Sequence, residues 1–338
     1  MKAAIYYGQN DIRVEARPVP TVGASDVLVR NLRGGICGTD INIVKVGGGD
    51  KGISLGAEFG HEMMGEVVEI GEHVASDIQL GMRVGINPIT AKKAGRFKSL
   101  ECSGFSEYVL VEDAVLDYNL YAFEADVSPE AAVLMEPMSV GRHGAFSVEP
   151  KPDEHIVVLG AGPIGLAAAA SLIAEGMRHV CVVDIDDWRL SKAAELGALT
   201  VNSAQIDLAE GLAAHFGTLH VYGQDVPNVD AFVDAAGAPV LFDAVAKILK
   251  PHARIAIIAV YKNEVPVSLL QVMSKEVKII GASGYTHDDI VKVVEHISQQ
   301  KTPIQSIVTQ VYKLDQIQEA FETAIAAKGT IKVVVDLT

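Results

Sequence analysis

The chain has 338 residues, 49% hydrophobic and 21% charged, with 43 acidic against 28 basic side chains and a net charge of −15. At ~100–200 residues per domain, that length predicts two domains. So acidic a surface repels phosphate backbones and anionic headgroups, which argues against nucleic-acid and membrane partners. Three cysteines cannot build a disulfide scaffold, and Met1–Asn10 has no signal-peptide core, so a cytoplasmic setting is expected.

In chain order, short strand-like runs come first: Ala3–Tyr7, Ile12–Glu15, Val27–Leu32, Gly65–Ile70, Met82–Ile86 and Ser106–Val111. Pro18, Pro20, Gly23, the Gly47-Gly48-Gly49 run, Gly71 and Gly81 punctuate them. This texture predicts a mostly antiparallel β domain. After residue 150 strands alternate with helices. Strands are expected at His155–Leu159, Val180–Asp184, Asp230–Asp234, Ala253–Ala259 and Lys278–Gly281, and helices at Gly165–Glu175, Trp188–Leu196 and Val240–Leu249. Alternation of this kind predicts an α/β fold with a doubly wound parallel sheet, Rossmann-like. Helices Asp289–Gln300 and Asp315–Ala327 and a strand Ile331–Leu337 complete the chain.

His155–Ala174 carries no Asp, Glu, Lys or Arg over twenty residues, which is long enough to cross a bilayer. Gly160, Gly162, Pro163 and Gly165 interrupt it, so it reads instead as a buried strand, a glycine turn and a buried helix. Gly160-Ala161-Gly162-Pro163-Ile164-Gly165 is a G-x-G-x-x-G between strand and helix, and Asp184 ends the next strand nineteen residues after Gly165. Each part has a task at a dinucleotide: a tight turn at Gly160, close backbone approach at Gly162, helix–sheet packing at Gly165. The helix N-terminus receives the pyrophosphate, and Asp184 the adenine-side ribose. Asp184, Asp186 and Asp187 would repel a 2′-phosphate, which favours NAD over NADP. Arg189 is the nearby cation, free to stack on adenine, pair with those aspartates or turn toward a phosphate.

The first domain holds a second constellation: Gly34-Gly35-Ile36-Cys37-Gly38-Thr39-Asp40, then Gly60-His61-Glu62 continued by Gly65, Gly71 and Val74, then Glu136-Pro137-Met138. Thiolate, imidazole and carboxylate suit zinc, and a catalytic zinc keeps one position open. At these residues, and over essentially its whole length, the sequence resembles the zinc-dependent medium-chain dehydrogenases, nearest the sorbitol- and threonine-dehydrogenase-like branch. The resemblance implies a GroES-like catalytic domain over residues 1–144, with 282–338 returning to it, and a cofactor domain over 145–281. It implies that Cys37 and His61 ligate zinc, with Glu62 or Glu136 as the third protein ligand. The metal would acidify an alcohol while hydride passes to the nicotinamide of NAD, and Thr39 would begin the proton's exit. The implied substrate is a secondary alcohol, a polyol, sugar acid or related hydroxy compound, oxidised reversibly to the ketone. A homodimer or homotetramer is implied, joined through sheet edges, with Lys250–Tyr261 as such an edge.

Three features depart from that family. Only Cys102 stands where relatives carry four closely spaced cysteines, so one zinc per chain is expected and no structural zinc. Lys92, Lys93, Arg96 and Lys98 make the replacing loop basic. Asn42 occupies the position of a relay histidine, and Ser54–Phe59 lacks the family's proline-bearing approach. A zinc-free reductase of the same superfamily and a non-catalytic dinucleotide-binding protein are the competing readings. His143, Cys181 and Trp188 read as structural.

Overall fold

The computed structural model describes residues 1–47, 52–91 and 100–338, so the basic loop residues Lys92, Lys93, Arg96 and Lys98 lie outside it. Contacts divide the chain into two compact units. One comprises Met1–Glu136, Ile297–Gln300 and Ile307–Thr338; the other comprises Pro137–His296 and Lys301–Ser306. These divisions differ from the expected ones at 144/145 and 281/282. Residue 144 lies inside the helix Met135–Phe146. Residues 282–296 pack in the second unit because the helix His287–Ser298 sends Asp289 to Arg142 at 2.6 Å and to His143 at 2.9 Å.

In the first unit, Lys2–Gly8 lies between Asp11–Ala16 and the short strand Ala57–Glu58. The larger sheet runs Val308–Lys313, Lys332–Asp336, Val27–Gly35, Glu62–Ile70, Arg83–Ile86, Leu120–Phe123, with Tyr108–Val111 also paired to Val27–Gly35. All pairs are antiparallel except Val308–Lys313 with Lys332–Asp336. That parallel pair requires a crossover, which the helix Ile317–Ala326 supplies. Tyr6, Phe59, Phe105 and Phe321 pack edge-on or tilted, with Phe59 5.1 Å from Phe105 and 5.8 Å from Phe321. This aromatic cluster underlies the chain just before Gly60-His61-Glu62.

The second unit is built on six parallel strands: Leu199–Asn202, His179–Asp184, His155–Leu159, Ala231–Asp234, Arg254–Ile257, Lys278–Gly281. In chain order this is 3-2-1-4-5-6, the dinucleotide-fold order, whose crevice opens beyond the carboxyl ends of the first and fourth strands. The uncharged twenty-residue stretch is the strand His155–Leu159, the glycine turn and the helix Pro163–Ala174. Gly165 to Leu172 are all buried, which explains a helix apolar on every face. Among the described residues no helix is long and apolar enough to cross a membrane.

One expectation about this sheet is corrected. Lys250–Tyr261 is not an edge: its strand, Arg254–Ile257, is paired on both sides, and the edges among the described residues are Leu199–Asn202 and Lys278–Gly281. The sequence reading also passed over Leu199–Asn202, the hairpin Thr218–Val221/Gln224–Pro227 and the helices Gly38–Val46, Met135–Phe146 and Leu208–Phe216. These elements are short or glycine-interrupted, and tertiary packing supplies what their propensity lacks.

Candidate metal centre and dinucleotide site

Cys37 is the N-cap of the helix Gly38–Val46, and its backbone N–H donates to Asp40 Oδ2 at 3.1 Å. Gly60 has φ +97°, and a Cβ there would meet the Phe105 ring at 2.8 Å, so only glycine fits this turn. His61 follows the turn but precedes the strand, so the alternation that sends strand neighbours to opposite faces does not separate it from Glu62. Potential ligand atoms of Cys37, His61 and Glu62 accordingly lie within 4.8 Å of one another.

The register explains how Glu62 is held. It pairs directly across from Gly35, which in turn pairs with Val334. Lys332, two residues before Val334, stands on the same face. A Cβ on Gly35 would collide with Glu62 Oε2 and come within 3.1 Å of Lys332 Cε. Through this gap Lys332 Nζ ion-pairs with Glu62 Oε2 and donates to the carbonyl of Ile36 at 2.9 Å. Lys332 and Glu62 are 2% and 1% exposed. Burial alone would lower the Lys332 pKa, but Glu62 and Cys37 outweigh it and raise it.

Asp40 Oδ1 and His61 Nδ1 are buried with no hydrogen-bond partner, although they face each other at 3.4 Å, whereas Glu62 Oε2 is met by the Lys332 ammonium. Buried polar atoms are rarely left so. Burial disfavours a charged His61, yet Asp40 and Cys37 raise its pKa well above the usual histidine range. The pocket therefore favours a cation. Zn²⁺ would fit both the charge and the donor set of thiolate, imidazole and carboxylate, and Asp40 stands where it could orient the ring.

Glu136, in the first turn of Met135–Phe146, stands outside that group of three. Burial pushes its carboxyl up to about 7, with Glu62 and Asp40 adding to the shift and His61 and Lys332 opposing it. Thr39 is exposed in the first helical turn beside Cys37, and Asn42 is exposed one turn on. Lys332 was missed from sequence. A lone lysine in the apolar run Ile331–Leu337 was the available signal, but its partner is set by strand pairing 270 positions away.

In the second unit the three glycines differ as their tasks require. Gly160 has φ +98° and would press a Cβ against Ala236 at 3.2 Å. A Cβ on Gly165 would overlap the carbonyl oxygen of Gly160. Gly162 caps the helix Pro163–Ala174, with Pro163 and Ile164 in its first turn. A Cβ on Gly162 would meet only Arg189 Nη1, at 4.0 Å, so this backbone is open to a ligand and the guanidinium lies over the turn. Asp184 accepts from the backbone N–H of Ala161 at 2.6 Å, fixing the turn against the second strand's end. Asp186 caps the helix Asp187–Glu195, while Asp187 accepts from Asn202 and Gln205. Cys181 is fully buried and its thiol is pushed up to about 12 by burial, consistent with inert packing. His143 is held by Asp289, and Trp188 is 37% exposed at the start of its helix.

A dinucleotide-type sheet accompanied by a β unit that gathers a thiol, an imidazole and a carboxylate defines a dehydrogenase. Comparisons agree. A model of the alcohol dehydrogenase GroES-like domain matches residues 23–117, and one of zinc-binding dehydrogenases matches 163–299. Sorbitol dehydrogenase 1 of Saccharomyces cerevisiae is 30% identical, over 95% of this chain and 93% of that protein. L-threonine 3-dehydrogenase of Paraburkholderia phytofirmans is 29% identical over 94% of each. The structure of 2R,3R-butanediol dehydrogenase from Bacillus subtilis matches with a TM-score of 0.84 at 27% identity, covering 99% of both chains. An Escherichia coli CFT073 alcohol dehydrogenase complexed with NADH matches at 0.82 and 25% identity, again over 99% of each. The chain belongs to the zinc-dependent medium-chain dehydrogenases, in the branch of the polyol and threonine dehydrogenases.

Proposed function

We propose that this protein oxidises a secondary alcohol, a polyol, sugar acid or related hydroxy compound, reversibly to the ketone, using one zinc ion and NAD. The observation that carries the reading is the convergence of the half-buried Cys37 thiol and the buried His61 imidazole and Glu62 carboxylate within 4.8 Å, beside a buried Asp40 whose Oδ1 has no hydrogen-bond partner. The relatives named sorbitol and butanediol dehydrogenase support the substrate class.

Cys37, His61 and Glu62 are the protein ligands in this reading, with Glu136, which interacts electrostatically with His61 and Glu62, as the alternative carboxylate. Zinc in such a site supplies Lewis acidity that lowers the pKa of an alcohol oxygen. Asp40 fixes the His61 tautomer, and Lys332 balances the charge of Glu62. Thr39 receives the first proton; Asn42 orients water but cannot titrate, so the proton leaves through solvent. With Cys102 the single cysteine where relatives carry four closely spaced ones, one zinc per chain is the proposed stoichiometry.

Gly160, Gly162, Pro163, Ile164 and Gly165 offer the helix N-terminus to the pyrophosphate. The position of Arg189 over the glycine turn supports a role at the pyrophosphate. Asp184, Asp186 and Asp187 crowd the place a 2′-phosphate would take, which supports NAD over NADP. We further propose a cytoplasmic homo-oligomer, dimer or tetramer, joined at one of the two sheet edges, Lys278–Gly281. The adjoining helix Leu269–Lys275 has no buried residue, and Leu269, Leu270 and Met273 are largely exposed; an apolar patch of this kind asks for cover.

Metal analysis combined with NAD⁺ reduction on a panel of polyols and sugar acids tests the reading. One zinc per chain and turnover lost on chelation are the expected results. Full NAD-linked turnover by metal-free protein would favour the zinc-free reductase, and cofactor binding without turnover on any alcohol would favour the non-catalytic protein.

A further inference from the structure

Asp234 is the last residue of the fourth strand, Ala231–Asp234, which lies beside the glycine-turn strand at the sheet's switch point. It is 1% exposed. Its Oδ1 accepts from the backbone N–H groups of Ala236 and Gly237, both at 3.0 Å. Its Oδ2 accepts from the phenol of Tyr261, which comes from the segment following the fifth strand, Arg254–Ile257. The turn capped in this way packs against the cofactor loop: Ala236 lies 3.2 Å from where a Gly160 Cβ would be, and Ala235 lies 3.5 Å from that of Gly165. Gly237, at φ +62°, faces Ala259 and the carbonyl of Val260, and Val260 itself is 90% exposed. One carboxylate thus ties together the rims of the fourth and fifth strands and the back of the glycine turn.

The sheet order says which half of a dinucleotide this rim serves. Asp184 ends the second strand, on one side of the glycine-turn strand, and the adenine-side ribose belongs there. Asp234 and Tyr261 lie on the other side, which leaves them the nicotinamide half.

We propose that Tyr261, clasped to Asp234, is a positioning residue for the nicotinamide half of the bound dinucleotide, holding the Ala259–Tyr261 rim in register with the glycine turn. The inference rests on the proposed use of a nicotinamide cofactor and adds to it a residue the glycine motif does not contain. Phe242 supports the ring from its side, edge-on with centroids 6.4 Å apart. The clasp is local: it spans two adjacent strand ends and one turn, so its loss should loosen the rim without touching Asp184.

The test is direct binding of NADH and of ADP, which carries only the adenine half and the diphosphate, to the full-length protein and three variants. Tyr261→Phe keeps the ring and removes the donor; about tenfold weaker NADH binding is expected, the loss of one hydrogen bond to a charged acceptor, with ADP affinity unchanged within about twofold. Asp234→Asn, which keeps a side-chain oxygen for the turn, should shift NADH binding the same way by less. Tyr312→Phe, which removes a phenol hydrogen bond to Thr323 in the first unit, should change neither affinity. Equal weakening of NADH and ADP in Tyr261→Phe, or no weakening of either, would overturn the proposal. Wild-type protein that binds neither ligand would instead count against the cofactor assignment itself.

Discussion

At Gly162 and Gly165 a single methyl group separates two kinds of glycine. Gly165→Ala forces a Cβ into the Gly160 carbonyl, an overpacking that costs roughly 1–3 kcal/mol; a lowered melting temperature without any ligand checks this. Gly162→Ala meets nothing closer than Arg189 Nη1, so its stability should stay within about 0.5 kcal/mol of wild type, while NADH binding weakens because the methyl occupies the face offered to the pyrophosphate. Lys332 makes a third case. Lys332→Met strands the Glu62 carboxylate, and breaking a buried pair from one side costs roughly 3–5 kcal/mol. Zinc should restore more stability to this variant than to wild type, since the metal replaces the lost positive charge; thermal melts with chelator and with zinc measure the difference. Cys37, His61 and Glu62 were legible as a motif because their side-chain chemistry is uncommon in combination. Lys332 was not, because a lysine in an apolar strand declares a buried charge without naming its partner.

Among the elements, the helix His287–Ser298 shows how a polar residue inside an amphipathic pattern can be read for its periodicity and not for its consequence. His296 is 2% exposed, and neither ring nitrogen has a hydrogen-bond partner. Burial lowers its pKa to about 4, against the pull of Glu175 and Glu295 and with Lys301 and Arg142 assisting. Unfolded, the ring titrates near the usual 6.5. Between these values the unfolded chain binds the extra proton, so stability present above pH 6.5 is lost as the pH falls toward 4, by roughly 3 kcal/mol at most. In His296→Leu that part of the loss should vanish: the fall in melting temperature between pH 6.5 and 4 becomes smaller than in wild type. An equal fall in both proteins would show that other groups govern acid sensitivity. Five of the six strands of the parallel sheet were legible because burial leaves nearly continuous apolar runs; the edge strand Leu199–Asn202 was not. The helix Leu269–Lys275 was not, since seven residues carry too little periodicity.

For the whole molecule, the sheet edge at Lys278–Gly281 and the bare helix beside it bear on assembly. Ile279, 41% exposed on the edge strand, is the position to probe. Ile279→Lys places a charge on a flat edge, a substitution that discourages edge-to-edge pairing. It should shift the solution mass toward the monomer without changing zinc content; light scattering and metal analysis check both. A wild-type chain already monomeric at micromolar concentration would sink the assembly proposal.

Local patterns sufficed for the α/β class, most of the strand–helix alternation in the second unit, the glycine turn and the short motif around each candidate ligand, because each is encoded by spacing within a few residues: a period of two, a period near 3.6, or a glycine where φ must be positive. What folding alone decided are the meetings of distant segments. Strand pairing set Gly35 between Glu62 and Lys332, placed Arg254–Ile257 inside the sheet and left Lys278–Gly281 at its edge, and brought the phenol of Tyr261 onto Asp234. Such contacts depend on register and strand order, which are fixed by the burial of the whole core and leave no local trace in the chain.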